Sequence, residues 1–176
     1  MKAGELRALQ APLKERYRAE PEVALVTLRA SGRLDGEGLT CKVETGRALV
    51  EAGLHPATGG DGLSACSGDM LLEALVACAG ISLKAAATSL DIEIGSATVS
   101  AEGDVDLRGT LGLTDEVPVG FSEIRLRFDV KTSASKEKLD ELLEITERYC
   151  VVMDTLRCSP RLVVALNTSS HADTYG

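Results

Sequence analysis

The chain has 176 residues, enough for one domain with its own apolar core. Its net charge of −8 repels nucleic acid and anionic membranes alike, and an aromatic content of 3% leaves few rings on which bases can stack. Apolar residues at 44% and charged residues at 26% describe a soluble globular protein whose core is built from Leu, Val, Ile and Ala.

The first element in chain order is an amphipathic helix over residues 2–19. Leu6, Leu9, Leu13 and Tyr17 share one face, and Pro21 ends it. Residues 1–22 carry charges throughout and have no apolar central run, so this segment does not read as a secretory signal, and the cytosol is the expected compartment. Val23 to Arg29 is a β-rich run, and Ser31 to Gly38 reads as a glycine turn. Leu39, Cys41 and Val43 alternate with Thr40, Lys42 and Glu44, the pattern of a strand with one buried face; the two runs suggest an antiparallel hairpin, which Ala48 to Val50 extends. His55 to Gly68 is a glycine-rich loop.

Asp69 to Leu90 is the clearest element. It is rich in Leu and Ala, with Ser67 or Gly68 available as cap and Asp69 complementing the positive helix end. Leu71, Leu75, Cys78 and Ser82 form one stripe, but Leu72, Val76 and Ala79 are apolar as well. Such a helix is expected to be buried on most sides, in the middle of the fold or in a dimer interface. Its uncharged run, Ala74 to Leu83, is shorter than the roughly 18 residues needed to span a bilayer.

Ile92 to Leu107 reads as a strand bent at its glycines, and Gly109 to Gly120 as a loop. Over Phe121 to Lys131 the alternation is strict: Ile124, Leu126, Phe128 and Val130 inward, Glu123, Arg125, Arg127 and Asp129 outward. Ser133 or Ser135 caps a second helix, Lys136 to Arg148, whose inward face is Leu139, Leu142, Leu143 and Thr146, with Cys150 on the same stripe. Leu162 to Leu166 is a last short strand, followed by a polar tail. The order predicts an α+β fold: an N-terminal helical arm (1–22), a single domain (23–167) and the tail (168–176).

The chemistry lies in five cysteines, Cys41, Cys66, Cys78, Cys150 and Cys158. An odd number in a reducing compartment, with no C-x-x-C and only two histidines, makes neither a disulfide framework nor a zinc site, so no metal or cofactor is expected. Each thiol is then either a small buried hydrophobe or a reactive group. Cys41 reads as core and Cys158 as a turn residue. Cys66, just ahead of the long helix, is an auxiliary reactive thiol or an incidental loop residue. His55 orients a substrate or a loop, and Glu73 accepts a bond from an arginine or faces solvent. Gly59-Gly60-x-Gly62 lacks the spacing and the lysine of a nucleotide loop.

Leu71-Leu72-Glu73-Ala74-Leu75-Val76-Ala77-Cys78-Ala79-Gly80 resembles the first-cysteine helix of the OsmC/Ohr family of thiol-dependent hydroperoxide reductases. The preceding Gly59-Gly60-Asp61-Gly62 and Ser67-Gly68-Asp69, and the later Arg148-Tyr149-Cys150 with Thr155-Leu156, resemble that family's glycine-rich lead-in and second cysteine motif. Val151, Val152 and Met153 stand where the family usually has proline and then serine, which marks a divergent subgroup. The resemblance implies an OsmC-like fold with antiparallel sheets and two long central helices, as an intertwined homodimer. It implies that Cys78 attacks a hydroperoxide, preferably an organic one, and that Cys150 resolves the product to a disulfide, which an external dithiol or thiol reduces. It also implies an activating arginine: Arg33, in Gly32-Arg33-Leu34-Asp35-Gly36, resembles the family's turn, with Arg29 and Arg47 as rivals. An OsmC-fold protein that binds a small molecule or senses redox state, without robust peroxidase activity, is the alternative.

Overall fold

The computed structural model describes residues 2–20, 31–33, 40–44 and 49–167. The run Val23 to Arg29, the rival arginines Arg29 and Arg47, and the tail 168–176 lie outside the described residues.

Helix α1, Ala3–Ala19, forms where expected and runs through Pro12. A four-stranded sheet follows in the order β1 (Ser31–Arg33), β2 (Thr40–Glu44), β3 (Leu49–Gly53), β4 (Ala65–Cys66). Ser31 to Arg33 is therefore strand rather than turn, pairing antiparallel with β2 so that Arg33 faces Lys42. The β2–β3 pair is antiparallel too, but β4 lies parallel to β3, so this sheet is mixed rather than purely antiparallel. The loop between β3 and β4 is more ordered than its glycines suggested: Pro56–Thr58 forms one 3-10 turn. Gly60 there packs onto backbone, for a Cβ built on it would run into the Leu54 carbonyl oxygen.

The second sheet is the long antiparallel pair β5 (Ser96–Val105) and β6 (Phe121–Lys131), with an irregularity at Asp104/Val105. The strand expected over Ile92 to Leu107 is shorter, and a one-turn helix α3, Leu107–Thr110, takes its end and the start of the loop expected from Gly109. Burial alternates along β6 as its sequence dictates. Arg125 on the outer face pairs with Asp104 and Glu123, and such exposed pairs add little stability. Gly103 is required by packing: a Cβ there would sit 2.5 Å from the Phe121 ring. Gly103→Ala is expected to destabilise the fold by about 1–3 kcal/mol, read as a lower denaturation midpoint at unchanged m-value.

Helix α2, Ser67–Ser89, lies against the β5–β6 pair and is met by α4, Lys136–Tyr149, and α5, Val151–Arg157. Its second half, with Leu83, Ala86 and Ala87, packs with Ile92 and Leu142. Its first half, with Leu75 and Ala79, packs with Cys150 and Met153. Length and composition alone would let α2 cross a membrane, yet one stripe of it forms this core. The expected burial on most sides does not hold within one chain. Ile81 is 73% exposed, and Ala74, Ala77 and Ala85 beside it are exposed, because one two-stranded sheet covers one face only.

Of the two caps expected for α4, Ser135 is the one used, accepting from the Lys138 N–H. Two further expectations change. Leu143 is 41% exposed, so the inward stripe is Leu139, Leu142, Ile145 and Thr146. Leu162 to Leu166 adopts no regular structure and is exposed, since no strand among the described residues runs alongside to pair with it.

Candidate functional site

Cys78 lies midway along α2, where its stripe leaves the core for the exposed side, and it is half-buried. Cys150 is fully buried. It continues the apolar stripe of α4 in sequence but lies beyond the helix itself. Its backbone is extended (φ −81°, ψ 104°), which ends α4 and starts α5. The first turn of any helix leaves its N–H groups without intrahelical partners. Here that turn is Val151, Val152 and Met153, and the break aims it at sulfur: Val151 and Val152 donate to the Cys78 sulfur and Met153 to that of Cys150.

The two thiols lie in one apolar cluster, and each bears on the titration of the other. Burial pushes the Cys78 thiol up, but the Val152 N–H, the Cys150 thiol, the Val151 N–H and the Ser82 hydroxyl together outweigh it and hold Cys78 below its ordinary range. Cys150 moves the other way. Burial raises it, the Met153 N–H offsets part of that, and its own proton is engaged by Cys78. Cys78 is thus the better anion and Cys150 the better proton holder. The lowering of Cys78 involves no arginine among the described residues.

The other predicted positions are scattered. Arg33 closes β1. Cys66 occupies the N-cap position of α2 without a side-chain capping bond, and its sulfur lies against Gly68. It precedes Cys78 by twelve residues of continuous helix, about 18 Å along the axis, too far for a disulfide between them in one chain. Glu73 is exposed. His55 serves its own loop: Nδ1 accepts from the Ala57 N–H at 3.1 Å and its carbonyl accepts from the Thr58 hydroxyl at 2.9 Å. Among the described residues no cluster of metal-ligating side chains forms.

The family model for OsmC-like proteins matches residues 59–165, which include both thiols and the elements that hold them. The chain belongs to the OsmC-like family. Among solved structures, an OsmC-like protein from Mycoplasma pneumoniae aligns with a TM-score of 0.63 at 16% identity, covering 76% of this chain and 89% of the other. An organic hydroperoxide resistance protein from Elizabethkingia anophelis aligns with a TM-score of 0.60 at 20% identity over 77% and 91%. One from Legionella pneumophila gives 0.59 at 16% over 76% and 91%. At these identities the likeness establishes the OsmC-like fold. No curated protein matches the chain in sequence.

Within that family the residue after the second cysteine has a physical meaning. A proline there has no N–H, whereas Val151 donates one to Cys78. Val151 is also the first residue of α5, a position that tolerates proline. Val151→Pro is expected to leave α5 intact and to raise the Cys78 pKa toward the ordinary thiol range. The pH dependence of alkylation at the Cys78 peptide measures this.

Proposed function

We propose that this OsmC-like protein reduces organic hydroperoxides with Cys78 as nucleophile, Cys150 as resolving thiol and an external dithiol or thiol as reductant. The observation that carries the reading is the packing of Cys78 and the buried Cys150 in one cluster, with Cys78 held below and Cys150 above the ordinary thiol range. The Cys78 thiolate attacks the terminal peroxide oxygen, the O–O bond breaks, and the alkoxide leaves and takes up a proton as alcohol. Sulfur gives up two electrons and becomes a sulfenic acid. The Cys150 thiolate then attacks that sulfur, hydroxide leaves as water, and a Cys78–Cys150 disulfide forms. The external thiols return two electrons and two protons. Leu75, Ala79, Val152 and Met153 around the pair favour an organic substrate over bare hydrogen peroxide.

The exposed stripe of α2 and the unpaired Leu162 to Leu166 support a homodimer, with a second copy covering apolar surface that one chain leaves open. Arg33 is the described arginine kept as activating cation, supplied within the assembled protein. The soluble fold and the free thiols Cys66, Cys78, Cys150 and Cys158 fit the cytosol.

The binding or sensing alternative has one observation in its favour. A cleft of about 1050 Å³ runs between β6, α2, α4 and α5, lined by Leu71, Leu126, Leu142 and Leu156 and reaching Leu75 and Met153 beside the thiols. Turnover of cumene hydroperoxide with a dithiol separates the readings. Catalytic consumption supports the reductase, and a single stoichiometric oxidation without turnover supports the alternative.

A further inference from the structure

Two residues belong both to the thiol cluster and to the cleft. Leu75 and Met153 pack with Cys150 and Cys78 in one apolar cluster, and both line the cleft of about 1050 Å³ between β6, α2, α4 and α5. Neither sulfur lines that cleft. Leu75 is 2% and Met153 8% exposed, so together they fill the space between cleft and thiols.

The two halves of this wall differ in how they yield. Leu75 sits inside the 23 residues of α2, held by helical hydrogen bonds on both sides. Met153 is the third residue of α5, a helix of seven residues that starts at the extended backbone of Cys150. Its side chain is unbranched and polarizable, with three rotatable bonds, and such a side chain adapts to irregular gaps. Met153 also stands where the chain departs from the proline and serine of the family pattern, so its role belongs to this chain rather than to the family at large.

The cleft itself narrows what would pass. The charged groups of its lining are Glu123, Arg127, Glu147 and Arg157, and each has a partner. Glu123 pairs with Arg125 at 2.9 Å, Arg127 with Asp129 at 2.7 Å, and Glu147 with Arg157 at 2.8 Å. No lining charge is left over to hold an ionic head, and the rest is mainly leucine and phenylalanine. The cleft therefore suits an uncharged alkyl or aryl group.

We propose that Met153 is the specificity-determining residue of the thiol site: its side chain swings to admit the uncharged alkyl or aryl group of an organic hydroperoxide from the cleft, bringing the peroxide to Cys78. This deepens the reductase reading above by naming the residue that selects for size, and the exchange of atoms and electrons is that already given. On this account the cleft is the entrance to the thiols rather than a separate ligand site.

The test uses the full chain with three substitutions. Met153→Leu keeps the volume and a flexible side chain, Met153→Ile is branched at Cβ and stiff, and Met153→Ala removes the wall. Two ratios are read. The first is kcat/KM for cumene hydroperoxide over that for hydrogen peroxide, with a dithiol as reductant. The second is the rate of Cys78 modification by N-phenylmaleimide over that by N-methylmaleimide, read at the Cys78 peptide by mass spectrometry. The thiolate fraction of Cys78 cancels in that second ratio, and no peroxide is involved. Met153→Leu is expected to keep both ratios within about twofold of wild type. Met153→Ile is expected to lower both by about tenfold and Met153→Ala to raise both by about as much, the scale on which an apolar pocket discriminates size. The change falls on the bulky reagent of each pair, and for cumene hydroperoxide on KM more than on kcat. Thermal melting identifies any loss of fold, and Met153→Ile, nearest to methionine in volume after leucine, carries the test if Met153→Ala does not fold. If turnover is seen but both ratios stay at the wild-type value in Met153→Ile and in folded Met153→Ala, the role of Met153 is overturned while the reductase reading stands. If the maleimide ratio follows Met153 but wild type turns over no hydroperoxide, the gate at Cys78 stands and the reductase reading falls.

Discussion

Cys78→Ser is expected to lower the rate of organic hydroperoxide reduction by at least about a thousandfold, because a serine hydroxyl is not ionised near neutral pH and no other thiol occupies its place. Cys150→Ser is expected to behave differently. Its Cys78 still attacks one equivalent of hydroperoxide and accumulates a sulfenic acid that dimedone traps, but dithiol-supported turnover collapses because no resolving thiolate follows. The asymmetry is a consequence of the site: Cys78 is half-buried and held below its ordinary range, whereas Cys150 is fully buried and held above it. The pH dependence carries the same sign. The thiolate is the nucleophile, so the first step accelerates as pH rises and levels off below the ordinary thiol value of about 8.5. Stopped-flow loss of hydroperoxide at fixed pH intervals reads it directly. A plateau reached only above that value contradicts the lowered Cys78.

Leu142→Ala is expected to destabilise the protein by about 3 kcal/mol, within the usual 2–5 for a buried leucine, with a fall in Tm of roughly 6–12 °C. Leu142 is 2% exposed and packs against Leu83, Ala86, Ala87 and Ile92, so its removal leaves a cavity between α2 and α4. Its carbonyl also holds the buried Thr146 hydroxyl at 2.7 Å. Leu143→Ala, one residue on and 41% exposed, is expected to cost less than about 1 kcal/mol. Urea denaturation of the pair distinguishes the two leucines. Equal losses contradict the observed face of α4.

That face shows where the sequence was legible and where it was not. Strict alternation marked β6 to the residue, because a strand with one wet and one dry face cannot change register without exposing its core side. The long apolar helix was equally plain, and with it the position of Cys78. Spacing misplaces Leu143 because adjacent leucines, about 100° apart around a helix, both fit at the edges of one wide apolar stripe, while the partner helix decides which one is covered. The glycines around Ser31 to Arg33 signal a turn, because local propensity says nothing of the β2 edge that captures this segment as a strand. Leu162 to Leu166 has a strand's composition, but a strand exists only against a partner edge.

At the site, the first cysteine was legible from its helix motif. The second was legible only in part: the apolar stripe pointed to Cys150, but the break in backbone that ends α4 there has no signal in spacing. Val151 and Val152, read as a departure from the family pattern, are donors to Cys78 through their backbone, and backbone donors leave no trace in residue type.

The most direct test of the paired-thiol account is a peptide map made without reductant after one equivalent of cumene hydroperoxide. The account predicts loss of two thiols per chain and a peptide linking Cys78 to Cys150. Two intact thiols at those positions, or a linkage through Cys66 or Cys158 in place of Cys150, would contradict it.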